Sequence, residues 1–111
     1  EYWDVVFEGM NAVVNEKRGT AYGVFPENSD IAGKTGTSQV FNMDKRSGND
    51  VPEELKDHGL FIGFAPINDP EIVIAVIVEN GGGGRVAAAP VAKQMFNKFI
   101  ELGGKKVDES N

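Results

Sequence analysis

Two apolar runs joined by one short turn constrain this chain more than anything else in it. LFIGFA at residues 60–65 and EIVIAVIV at residues 71–78 flank Pro66-Ile67-Asn68-Asp69-Pro70. Proline has no amide to give a strand ladder, and Asn-Asp is turn chemistry, so the connection reads as a turn between antiparallel neighbours. This predicts strands over 59–66 and 71–79. Apolar side chains fall at successive positions rather than alternate ones, so both faces of the sheet should be covered, with helices on each side.

The covering helices are legible. Trp3, Val6, Phe7, Met10, Val13 and Val14 recur along one helical face, predicting a helix over about 2–16 with Trp3 in the core. Lys17, Arg18 and Gly19 suit its end, where cations meet the carbonyl terminus and glycine accepts a left-handed conformation. A second helix should start near Ala88–Pro90 and run through Val91, Met95, Phe96, Phe99 and Leu102 to Gly103-Gly104. Residues 32–41 supply a third strand. The expected fold is α/β of the α+β type, an antiparallel sheet flanked by helices, within residues 1–104. The polar stretch 42–57 reads as a mobile excursion and 105–111 as a flexible C-terminal tail.

Composition removes several function classes. A net charge of -6, from 17 acidic against 11 basic residues, argues against nucleic acid, which requires clustered positive surface. The longest apolar run, Ile72 to Val78, is far short of the roughly 20 residues that cross a bilayer. There is no cysteine, and His58 is the only histidine, so neither a thiolate site nor a histidine-rich metal site is expected, and no cofactor. The start at Glu1, without an initiator methionine, reads as part of something longer.

One strand does not look like a strand. IAGKTGTSQVF, residues 31–41, places an ammonium, two hydroxyls and a glycine where burial would exclude them. A phosphate loop fits poorly, because Asn28 stands where such a loop needs glycine and Ser38-Gln39-Val40-Phe41 continues as strand rather than opening a helix. A protective edge lysine would account for Lys34 but not for Gly36 between Thr35 and Thr37. Bare backbone with flanking hydroxyls lets an extended ligand approach, and the hydroxyls and ammonium can hold a carboxylate. The chemistry is recognition of an anionic peptide end.

Lys34-Thr35-Gly36 also matches the K-T-G signature of penicillin-binding proteins and serine β-lactamases. The surroundings agree in order: Gly19-Thr20-Ala21 ahead of Phe25, then AGKTGTSQVF, DHGLFIGFAP and VENGGGG before a final helix. Over residues 1 to about 103 the chain resembles the C-terminal part of a class B penicillin-binding protein, a monofunctional D,D-transpeptidase, of the type serving the cell-elongation machinery.

That resemblance implies an enzyme that cross-links peptidoglycan stem peptides through an acyl-serine and is acylated by β-lactam antibiotics. It implies that Lys34 brings positive charge and a link to a second signature, that Thr35 and Thr37 hold the terminal carboxylate, and that Gly36 leaves room for substrate. The Thr37 amide would be an oxyanion-hole donor; losing such a donor costs about 100- to 1000-fold in rate. The nucleophile is missing from these residues: Ser29, Ser38 and Ser47 are followed three positions on by Ala32, Phe41 and Asp50, never by lysine. Ser47-Gly48-Asn49 imitates the second signature but falls after the K-T-G strand instead of before it. The segment alone is therefore expected to be inactive, one wall of a site completed by the rest of its domain.

The strand at 71–79 should then keep one open edge. The run Asn80-Gly81-Gly82-Gly83-Gly84-Arg85 reads as a flexible connection rather than an anion nest, His58 as a strand start with a local hydrogen bond, and Glu53-Glu54 as a solvated face. The rival to an enzyme is a non-catalytic β-lactam-sensing or peptide-binding module of the same fold. The implied reaction places the protein outside the cytoplasm, periplasmic, with its parent anchored in the inner membrane.

Overall fold

The structure, a computed structural model, describes residues 1–40 and 52–103. Helix α1 (Tyr2–Asn15) is followed by β1 (Ala32–Ser38), a 3-10 turn (Glu53–Leu55), β2 (His58–Ala65), β3 (Ile72–Val78), a π turn (Gly84–Ala88) and α2 (Ala89–Glu101). The strands form one antiparallel sheet in the order β1-β2-β3. β1 stops at Ser38, short of the expected 41, and Phe41 lies outside the described residues. So do Ser47-Gly48-Asn49 and the tail expected at 105–111.

The turn between β2 and β3 is closed by the Glu71 amide donating to the Ala65 carbonyl at 2.9 Å. Asp30 caps it from outside, accepting from the Ile67 amide at 3.0 Å. Pro90 sits in the first turn of α2, as its missing amide allows, and Gly103 leaves the helix at φ 102°. Gly19 has a different role from the one expected. It does not take a left-handed conformation; a Cβ there would strike the carbonyl oxygens of Ala12 and Val13, which end α1.

The core lies on one face of the sheet. Phe61, Ile74 and Val76 meet Phe25 from the 20–31 loop and Ala88, Ala89, Ala92 and Phe96 from the α2 end. Phe25 lies 5.5 Å from Phe61 and 6.3 Å from Phe96, ring centre to ring centre.

Helices do flank the sheet, but coverage of the second face is partial: Phe7 of α1 packs on Phe64, which is buried. On the second face Val73 and Ile77 stay 68% and 65% exposed, because α2 covers only the first and α1 lies against β1. Trp3 is not core either: it is 71% exposed, whereas Val14, at the other end of α1, is 3% exposed. Periodicity identifies a helical face but not how much of its length meets the sheet, and α1 enters the core only through its last turn. Its first half carries a row of tilted aromatic contacts, Trp3 against Phe7 and Phe7 against the buried Phe64.

Candidate active site

β1 lies at an edge of the sheet, so one side of its backbone pairs with β2 and the other meets no strand among the described residues. Its register runs Lys34↔Ile62, Thr35↔Phe61, Gly36↔Leu60 and Thr37↔Gly59. Strand alternation then puts Lys34 and Gly36 on the second face, beyond the part that α1 covers, and Thr35 and Thr37 on the other. Ammonium and hydroxyls flank the same open edge from opposite sides. A ligand lying along that edge, as an added strand, is the one shape that meets both.

The three polar side chains differ in how they are held. Lys34 Nζ donates to the Thr35 carbonyl at 2.6 Å, so the ammonium folds along its own strand. Thr35 Oγ1 lies 2.6 Å from Thr20 Oγ1 in the loop after α1. Thr37 faces the glycine run, where a Cβ at Gly83 would come within 3.7 Å of its Oγ1.

Two glycines of the strand separate packing from access. A Cβ on Gly33 would strike the Phe61 ring and lie 2.8 Å from the Ile62 carbonyl oxygen, so the core requires glycine there. A Cβ on Gly36 would meet only the Leu60 Cβ, at 3.4 Å, a contact close to ordinary. Glycine weakens a strand, and nothing packed against Gly36 among the described residues demands it.

Behind β1, the glycine run is more than a connection. Gly82 donates to the Asp57 carbonyl at 3.0 Å and Ala87 to the Gly83 carbonyl at 3.0 Å, leading into the π turn. Gly84 presses on β1 and β2, and Arg85 Nη1 donates to the carbonyls of Thr20 at 3.2 Å and Tyr22 at 2.5 Å. Neither Thr20 nor Arg85 was given a role by the sequence. The available signals were Thr20 inside Gly19-Thr20-Ala21, and Arg85 as the only cation between Lys56 and Lys93.

His58 begins β2 as expected, and its Nδ1 accepts from the Asn80 amide at 2.9 Å, a partner across the sheet end rather than a local one. Glu53 and Glu54 are exposed, Glu53 pairing loosely with Lys56 at 3.6 Å. Asn80, at φ 53°, ties this region down: its Nδ2 donates to the carbonyls of Glu54 at 3.1 Å and Lys56 at 2.9 Å.

The K-T-G edge is set in a wider likeness. The family described as "Penicillin binding protein transpeptidase domain" matches residues 1–101. The chain belongs to the penicillin-binding transpeptidase family. It is 36% identical over 113 residues to the peptidoglycan D,D-transpeptidase MrdA of Haemophilus influenzae, an alignment spanning 98% of the chain and 17% of that protein. Among solved structures it resembles Helicobacter pylori PBP2 in its complex with MreC, at TM-score 0.76 and 33% identity, over 90% of the chain and 17% of that one. Pseudomonas aeruginosa PBP2 in complex with WCK 5153 superimposes at TM-score 0.68 and 39% identity, over 96% of the chain and 21% of that one. The chain thus spans about a sixth to a fifth of the length of these proteins. The antiparallel sheet with helices is the fold it shares with them.

Proposed function

We propose that this chain is the substrate-holding wall of a peptidoglycan D,D-transpeptidase of the PBP2 kind, acting in the larger protein whose C-terminal part it resembles. The observation that carries this is the K-T-G edge itself, an open strand with Lys34 and Gly36 on one face and Thr35 and Thr37 on the other.

In that reading a stem peptide lies along β1 as an added strand. The Thr35 and Thr37 hydroxyls take its terminal carboxylate, Lys34 swings from its own backbone to supply positive charge, and Gly36 lets the peptide backbone close in. The Thr37 amide then faces the carbonyl oxygen as negative charge develops, the interaction that lowers such barriers most. The attacking serine comes from another part of the domain, as do the residues that cover Val73 and Ile77. In this reading the protein works on the outer side of the cytoplasmic membrane, is acylated by β-lactams, and serves the elongation machinery.

Labelling with a fluorescent penicillin tests the reading. The full-length protein carrying this segment takes the label covalently, and Lys34→Ala weakens labelling; the 111-residue chain alone takes none. A full-length protein that binds penicillin reversibly without an acyl adduct would favour the sensing module instead.

A further inference from the structure

Thr35 is the hydroxyl the proposed site most depends on, and the structure gives that hydroxyl a partner. Its Oγ1 lies 2.6 Å from Thr20 Oγ1, so one of the two is the donor. A threonine hydroxyl has one proton and can accept twice, whereas a carboxylate can only accept. If Thr35 donates to Thr20, its proton is unavailable to a ligand. If Thr20 donates to Thr35, the Thr35 proton is free to point at a carboxylate on the open edge, and the accepted bond strengthens the donated one.

Thr20 is held in place by a bracket that grips β1 from behind. Gly84 presses against the backbone of Gly36 and Leu60 so closely that a Cβ would collide with both. One residue on, Arg85 Nη1 bonds the carbonyls of Thr20 and Tyr22. The K-T-G backbone, the π turn and the Thr20 loop are thereby fixed to one another. We infer that Thr20 is a positioning residue of the transpeptidase site, donating to Thr35 so that the Thr35 proton is committed to the substrate's terminal carboxylate, with Arg85 holding Thr20 at the required distance.

This rests on the proposed function, and its test separates the two. In the full-length protein carrying this segment, second-order acylation rates are measured with benzylpenicillin and with its methyl ester, which lacks the anionic acceptor. The expected result for Thr20→Val is a loss of about three- to tenfold with benzylpenicillin, the size of one neutral hydrogen bond, and no change with the ester. Thr20→Ser, which keeps the hydroxyl, retains the wild-type ratio of the two rates. An equal loss on both ligands, an unchanged ratio in Thr20→Val, or a lost ratio in Thr20→Ser overturns the inference. A wild-type protein that benzylpenicillin does not acylate overturns the proposed function and this inference with it.

Discussion

Gly84 rests on Gly36: a Cβ at position 84 would lie 2.6 Å from the Gly36 carbonyl oxygen and 2.9 Å from its amide nitrogen. The two glycines are in contact, yet only Gly84 is required by the packing around it; the role of Gly36 is the one proposed above, access for a ligand.

Exchanging each for alanine separates those demands. Gly84→Ala pushes against fixed backbone and is expected to cost about 1–3 kcal/mol, read as a lower urea midpoint. Gly36→Ala, whose Cβ meets only Leu60, should leave stability within about 0.5 kcal/mol. In the full-length protein it should nonetheless slow penicillin acylation by about tenfold or more, because the methyl stands where the ligand backbone passes. Unimpaired acylation in Gly36→Ala would show that the bare edge is not used.

Asn80 carries a load out of proportion to its size. Asn80→Ala removes two side-chain bonds to the Glu54 and Lys56 carbonyls and leaves a Cβ residue at φ 53°. The expected loss is about 2–3 kcal/mol, and Asn80→Gly should recover about 1 kcal/mol of it by relieving the backbone alone. Equal midpoints for the two variants would mean that the left-handed conformation contributes nothing.

Phe96 is fully buried and edge-on to Phe25. Phe96→Ala should destabilise by about 3–5 kcal/mol, a large share of what a small domain has, with loss of cooperative unfolding in near-ultraviolet circular dichroism. Phe96→Leu, which refills most of the volume, should cost less than half as much.

The uncovered sheet face gives a comparison between contexts. Ile77 is 65% exposed, so Ile77→Lys should change the stability of the 111-residue chain by less than about 0.5 kcal/mol. In the full-length protein, where the rest of the domain is proposed to cover that face, the same change buries an unpaired charge and should lower the melting temperature sharply. Indifference in both contexts would mean the face is never covered.

The strands were readable because LFIGFA and EIVIAVIV carry their own turn between them, and the seven-residue apolar run Ile72–Val78 is rich in β-branched residues and short for a helix. The lysine-bearing strand was readable because its chemistry breaks the pattern around it. What misled was amphipathicity without a partner. Trp3 and Val73 are apolar where the core was expected, but the surfaces that would meet them are not among the described residues. The bracket behind β1 was illegible for another reason. Arg85 reaches carbonyls 65 and 63 residues earlier in the chain, and a backbone carbonyl leaves no mark in a sequence. Thr20 and Thr35 are 15 residues apart, on a loop and a strand whose separate periodicities say nothing of each other.

The pairing of Ser38 with His58, together with the hold of Asn80 on the Glu54 and Lys56 carbonyls, pins both ends of the chain that joins β1 to β2. With its ends anchored, that span can lengthen or shorten almost independently of the sheet, since doubling a loop costs only about 0.6 kcal/mol. It departs from the C-terminal end of β1, two residues beyond Gly36. A change of length there would therefore leave the K-T-G edge and its bracket as they are.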